Sequence, residues 1–412
     1  MKNKKNIYPW VVVGLLSVVA FLNYLDRQML STMQQAIGMD IEALQAPQNF
    51  GRLMAIFLWV YAVVSPFAGS IADRLSRKWL IVGSLGVWST VTILMGFCTT
   101  FEQMYWLRGL MGVSEALYIP SSLSLIADYH EGKSRSLAVG LHMTGLYLGQ
   151  AVGGFGSIFA SALSWTTTFR VFGIVGVAYA VVLMFFLREK REISPRASLG
   201  RNDKPQGAAV SGLFKSFGLI FSNIAFWVIL FFFASTSLPG WATKNWLPTL
   251  FAQHIDGGMA VAGPVATITI ALASFIGVMV GGPLSDKWVK KNLKARIYTS
   301  AIGLSMMIPA LVLMGLGHGI VTAVASGLIF GLGYGMFDTN NMPILCQFVP
   351  SSLRATAYGF MNMVGVAMGA LCTQLLGKIQ NLGLSFALLG GITALALVLQ
   401  LTVLRPTTDD MK

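Results

Sequence analysis

Asp26 and Arg27 follow Asn23 and Tyr24 near the end of one apolar run, and Arg108 and Glu115 stand seven residues apart inside another. His142, Lys244 and Asp338 interrupt three more, the last followed by Asn340 and Asn341. A charge at the centre of a bilayer costs about 2.5 to 3.5 kcal/mol on insertion scales, so each of these is expected to face a cavity or a partner. A separation of seven is two helical turns, which puts Arg108 and Glu115 on one face with Gly112 near the same stripe. A carboxylate beside an Arg in a partly wet cavity has a protonation state that depends on whether the cation is otherwise engaged. Proton coupling requires that chemistry. A purely structural pairing of Arg108 with Glu115 competes with it, although buried pairs stabilise poorly compared with apolar replacements.

The other polar groups divide between recognition and packing. Arg27, near a helix end, meets a substrate or snorkels to water. His142 is a proton or substrate contact, or a hydrogen-bonded packing group. Asp338 balances Lys244 or a substrate hydroxyl, and Lys244 itself, expected at the outer end of its span, faces water on the simpler view. Tyr147, Gln150, Asn340 and Asn341 offer neutral groups to sugar hydroxyls, whereas Trp241 and Trp246 stack on a ring or mark the membrane interface.

The elements that position these groups follow from composition. Of 412 residues, 55% are hydrophobic and 11% charged, and mean hydropathy is +0.68, against about 25% charged residues in soluble domains. Residues 7–31, 50–72, 79–99, 103–127, 136–161, 168–187, 217–240, 262–284, 297–316, 319–346, 355–377 and 383–404 form twelve apolar stretches, each long enough to cross a bilayer as a helix. The first is preceded by Lys2, Lys4 and Lys5 as a secretory signal would be, but no small-residue cleavage site follows it, so it is expected to remain. With the N-terminus inside, 23 of the 29 basic residues fall in the tails and loops of one side. Both termini are therefore expected in the cytoplasm of a bacterial inner-membrane protein, and the net charge of +13 needs no nucleic-acid partner. Cys98, Cys346 and Cys372 lie in apolar spans without ligand spacing, so no disulfide or metal is expected. Glycine strings such as Gly331 to Gly335 lie inside helices and suit close packing rather than phosphate binding.

Residues 188–211 form the only long polar stretch and are expected to join two six-helix halves, 1–187 and 217–412, through a linker at 188–216. A shift of 213 residues superposes Gly69 to Arg74 on Gly282 to Lys287, with Arg77 and Lys78 falling on Lys290 and Lys291. Arg135 with Gly140 is echoed by Arg354 with Gly359. Two matches at equivalent positions indicate duplication. Asp73, Arg74 and Arg77, with Asp286 and Lys287, are expected to act as a latch of charge pairs in an outward-open state.

The loop Gly69 to Lys78 (GSIADRLSRK) resembles the signature between helices two and three of the major facilitator superfamily, which implies an all-α fold of two pseudo-symmetric six-helix bundles rocking about a midplane site. Within it, Asn23-Tyr24-Leu25-Asp26-Arg27, Arg108 with Glu115 and Pro120, and Trp246-Leu247-Pro248 resemble the anion:cation symporters of sugar acids. The helix-one and helix-four pattern also resembles the spinster-type lysolipid carriers. The first resemblance implies that Asp26 and Glu115 carry the coupling proton, while Arg27 and Arg108 pair with them or meet an anionic substrate alongside Tyr24. In the fifth span Gly149 is followed by Gln150 rather than the proline of many drug:proton antiporters of the superfamily, which argues against drug export. The expected protein is a monomeric, cofactor-free uptake symporter, not an enzyme. Its partners are the bilayer, a small organic anion such as a uronate, aldonate or sialic acid, and a proton, with sodium as the alternative ion. A neutral-sugar transporter and a lysolipid carrier are the rival functions.

Overall fold

A computed structural model describes residues 7–130, 133–189, 222, 224–349 and 354–406, and every regular element among the described residues is helical. A helix satisfies its own backbone hydrogen bonds, as a segment surrounded by lipid must. The helices are α1 (Tyr8–Thr32), a short α2 (Gln34–Asp40), α3 (Pro47–Arg74), α4 (Arg77–Met95), α5 (Phe101–Ala116), α6 (Tyr118–Tyr129), α7 (Lys133–Gly153), α8 (Gly156–Leu163) and α9 (Trp165–Phe186). After the linker come α10 (Ile224–His254), α11 (Gly258–Val289), α12 (Ala295–Leu316), α13 (Gly319–Phe348), α14 (Arg354–Leu376) and α15 (Leu382–Val403). Eleven stretches are long and apolar enough to cross a membrane, α5 and α6 together counting as one, and α7 with α8, bent by 53°, makes the twelfth. The expected twelve-span all-α architecture is thus present.

Local chemistry sets several boundaries. Pro47 opens α3 at a position where its missing N–H costs nothing. Ser76 caps α4 by accepting from the Trp79 N–H, and Thr100 with Gln103 forms a capping box at α5. Pro120 cannot donate a backbone N–H to the turn before it, and the helix breaks at Leu117, two residues after Glu115.

The largest departure from the sequence expectation is α10. Its predicted end is residue 240, yet the helix runs on to His254 through Pro239, Gly240 and Pro248. Prolines are tolerated where neighbouring helices re-satisfy the backbone, and Gly240 is needed because a Cβ there would meet the Tyr334 ring at 2.9 Å. Lys244 consequently lies ten residues inside the helix, not at its watery end.

Polarity is arranged inside out. Val63, Phe67, Trp106, Phe185 and Leu388 are exposed on the outside, while Asn23, Asp26, Arg108 and Glu115 are buried within. The helices before and after the linker meet along α3 with α14, α7 with α11, and α1 with α10. At the end where α1 stops and α3 begins, called here the far end, hydrogen bonds cross between them. Gln28 donates to the Lys244 carbonyl at 3.0 Å, Thr249 to the Gln34 side chain at 3.1 Å, and Thr267 to the Ala151 carbonyl at 3.2 Å.

At the opposite, near end, the ion pairs among the described residues stay within one set of helices. Arg77 pairs with Asp128, and Arg296 with Asp286 at 3.2 Å. Glu189 also accepts from the Arg77 N–H at 2.9 Å. Lys287 is exposed. The side chains of Asp73 and Arg74, and the linker from residue 190 to 216, lie outside the described residues.

Candidate functional site

The buried charges of the first six spans converge. α1 contributes Asp26 and Arg27 on consecutive positions, and α5 contributes Arg108 and Glu115. Glu115 pairs with Arg27, Oε2 to Nε at 2.5 Å, rather than with Arg108 on its own helix. Glu115 is fully buried and the Arg27 side chain only 13% exposed, so water screens the pair little. The pairing is monodentate, and Arg27 Nη2 and Glu115 Oε1 are left without a partner. Arg108 donates to Met111 Sδ at 3.0 Å while its Nε is also unpartnered. Asp26 accepts from Thr92 of α4 at 3.4 Å. Glu115 acts electrostatically on Asp26, Arg27 and Arg108, and Arg108 on Asp26 and Arg27.

An aromatic box surrounds the two guanidinium groups. Arg27 lies over Tyr24, Phe57 and Tyr61 at 5.0, 4.7 and 5.3 Å from the ring centroids, and Arg108 also lies 4.7 Å from the Phe57 centroid. Phe57 and Tyr61 are four apart on α3 and share a face. Gly112 lets α5 approach them, since a Cβ there would meet the Phe57 carbonyl at 2.6 Å. Cation–π contact holds an arginine without neutralising it. Two carboxylates balance two guanidiniums, so a proton on either acid leaves the cluster with net positive charge.

Across from this cluster, α10 and α13 hold a second, sparser set. Lys244 lies over the Trp241 ring at 4.7 Å and the Tyr334 ring at 5.8 Å. Asp338, one turn beyond Tyr334 on α13, is exposed to the space between the two sets of helices and accepts from Asn341 at 3.3 Å. Asp338 and Lys244 act on each other electrostatically, and Asp338 also reaches Tyr24, Tyr147, Tyr334 and Tyr358. Residues of both sequence halves therefore face one central space.

The candidates named from sequence separate into those in this space and those outside it. Tyr24, Asp26, Arg27, Arg108, Glu115, Asp338 and Asn341 are brought together, and Tyr147 joins them from α7, with its ring against Phe275 at 6.1 Å. Gln150 is buried on α7 three residues further on. Trp246 is placed in the far-end seal, where it is 2% exposed, donates to the Thr373 carbonyl at 2.9 Å and meets the edge of Phe50. Its ring fills the contact with α3 and α14 and does not face the central space. His142 is buried with Ser122 at 3.5 Å and Tyr118, at the level of Leu16, 11 residues or about 16 Å along α1 from Arg27. It packs α1, α6 and α7 together, away from the charge cluster. Among residues the sequence did not single out, Thr92, Phe57, Tyr61, Tyr334 and Tyr358 reach the site; only the four-residue spacing of Phe57 and Tyr61 was a signal.

A model of the Major Facilitator Superfamily matches residues 16–373. Protein spinster homolog 1 of Xenopus laevis is 26% identical over 87% of this chain and 70% of its own length. The probable galactarate/D-glucarate transporter GarP of Escherichia coli (strain K12) is 23% identical over 88% of this chain and 86% of its own. A crystal structure of a bacterial homologue of the human lysosomal transporter Spinster, inward-facing and occupied, superposes with a TM-score of 0.78 at 18% identity, covering 98% of this chain and 99% of that one. At that identity the superposition speaks for the fold.

Proposed function

This chain belongs to the Major Facilitator Superfamily of membrane transporters, and from that premise we propose that it takes up a small organic anion by proton-coupled symport, with a sugar acid as the favoured substrate class. The observation that carries this reading is the buried Arg27–Glu115 pair, joined at 2.5 Å yet with an unpartnered polar atom on each side. A buried polar atom without a partner is costly, so the pair is poised to exchange its partner. An arriving carboxylate takes Arg27, and Glu115, released, takes a proton. Asp26 and Arg108 share the same balance of charge, so binding of the anion and of the proton each favours the other. Only the balanced carrier then reorients, because an uncompensated charge crossing the low-dielectric centre is expensive.

On this reading the bundles 1–187 and 217–412, joined by 188–216, rock about the central space. The basic near end faces the cytoplasm of a bacterial inner membrane, and the far-end seal opens to the outside. Arg77 and Asp286 exchange their present pairs when the near end closes. GarP, named as a probable transporter of the sugar diacids galactarate and D-glucarate, supports the substrate class.

A second reading has its own observation. A cleft of about 410 Å³ opens between α7 and α11, lined by Val139, Met143, Phe275, Val278 and Met279 with Arg135 at its near end. An apolar groove closed by one cation suits an anionic amphiphile, the cargo that the resemblance to spinster-type lysolipid carriers implies. Uptake of labelled galactarate, gluconate, galactitol and a lysophospholipid by proteoliposomes, with and without an inward proton or sodium gradient, separates the readings. Proton-driven uptake of the acids alone supports symport of a sugar acid. Uptake confined to the lysophospholipid selects the second reading, and sodium-driven uptake replaces the coupling ion.

A further inference from the structure

We propose that Lys244 is the anion-binding group of the second bundle, forming with Arg27 a two-sided seat for the substrate carboxylate, with Asp338 as its counter-charge when the seat is empty. This rests on the reading of the chain as a carrier of organic acids.

Lys244 sits deep in α10, and an ammonium group there has three protons to donate and no lone pair. No ion pair joins it to a carboxylate among the described residues. Its neighbours are the faces of Trp241 and Tyr334, which attract a cation but accept no full hydrogen bond. Arg27, by contrast, is already engaged by Glu115. Of the three cations placed at the central space, Arg27 is paired with a carboxylate and Arg108 is only 4% exposed, so Lys244 is the partly exposed one that no carboxylate pairs.

The position is fixed from both sides. Gln28, next to Arg27 on α1, bonds the Lys244 backbone carbonyl at 3.0 Å, which ties α1 to α10 at this level across the boundary between the bundles. Arg27 and Lys244 act on each other as like charges, so an anion beside both is favoured by each. Asp338 reaches Lys244 only through space and is instead hydrogen-bonded by Asn341 on its own helix. It is close enough to balance the charge and too far to satisfy the donors. A substrate carboxylate supplies the missing acceptors, and hydroxyls beside it find Asp338, Asn341 and Tyr334. The seat then takes a hydroxylated carboxylate, anionic end toward Lys244, and its occupation draws one cation from each bundle onto a single ligand.

The test is the affinity of the purified protein for galactarate, gluconate and galactitol by calorimetry, in wild type and in Lys244→Gln, Lys244→Arg and Asp338→Asn. The two neutralising changes are expected to act in opposite directions. Lys244→Gln weakens binding of both acids by about tenfold or more, the size of a lost hydrogen bond to a charged group, and leaves galactitol unchanged. Lys244→Arg keeps most of the affinity, and Asp338→Asn strengthens acid binding by removing the competing negative charge. Wild type that binds the acids alongside a folded Lys244→Gln of equal affinity overturns the seat and leaves the function standing. Should Lys244→Gln lack a cooperative melt, Asp338→Asn decides, and acid binding that is unchanged or weaker there overturns the seat. Wild type that binds galactitol but neither acid overturns the functional reading and the seat with it.

Discussion

The two bundles keep their charges in different ways. In the first, four charged side chains on α1 and α5 are enclosed, balanced and boxed by Tyr24, Phe57 and Tyr61, with Glu115 wholly buried. At the centre of the second, one lysine and one aspartate act on each other among tyrosines and amides, and no ion pair joins them. A closed, balanced cluster changes its net charge whenever one proton or one partner is exchanged, which suits energy coupling. An open set with unspent donors and acceptors suits recognition. The division of labour lies in which helices carry the charges.

The comparison breaks most visibly at Glu115. Glu115→Gln is expected to lose all accumulation driven by a pH gradient while retaining exchange of substrate across the membrane, measured as counterflow in proteoliposomes. Unaltered accumulation would move the coupling site elsewhere. The next effect is on stability: Arg27→Gln leaves Glu115 buried and alone and should cost about 3 to 5 kcal/mol. Lys244→Gln removes no ion pair and should cost far less, so melting curves of the two proteins in detergent place the bundles side by side. Equal losses would remove the distinction between a paired and an unpaired cation.

Gly112→Val pushes a side chain against the Phe57 carbonyl, displacing the aromatic box, and is expected to destabilise by about 1 to 3 kcal/mol. Gly14, where nothing lies within 4 Å of a Cβ, provides the control, since its replacement by Val should not alter substrate affinity. The smallest change is Trp246→Phe, which loses the bond to the Thr373 carbonyl and should cost about 1 kcal/mol with acid affinity intact. A large loss of affinity there would return Trp246 to the binding site.

Much of this was legible in the sequence because lipid imposes so strict a rule. Twelve apolar runs had to be helices, and Arg108 and Glu115 within them were expected to face inward, while Arg27 near its helix end had water as an alternative. What the spacing of seven between Arg108 and Glu115 could not convey is that Glu115 prefers an arginine from another helix. Pairing across helices depends on how α1 and α5 are rotated, which local periodicity does not encode. α10 was cut short for a related reason. The helix continues through Pro239 and Gly240 because Tyr334 of α13, distant in sequence, occupies the space that Gly240 leaves. That one misplaced boundary made Lys244 look like a residue facing water. Trp246 was similarly ambiguous, because a tryptophan that stacks on a ligand and one that packs a seal have the same neighbours in sequence.

The central claim is that an organic anion and a proton exchange partners within the first bundle, and it is tested most directly by proton movement itself. With a pH-sensitive dye trapped inside proteoliposomes and no imposed gradient, external galactarate should acidify the interior in wild type, and Glu115→Gln should abolish that signal while still exchanging galactarate. Acidification that persists in Glu115→Gln, or galactarate uptake by wild type without any proton movement, would contradict the account.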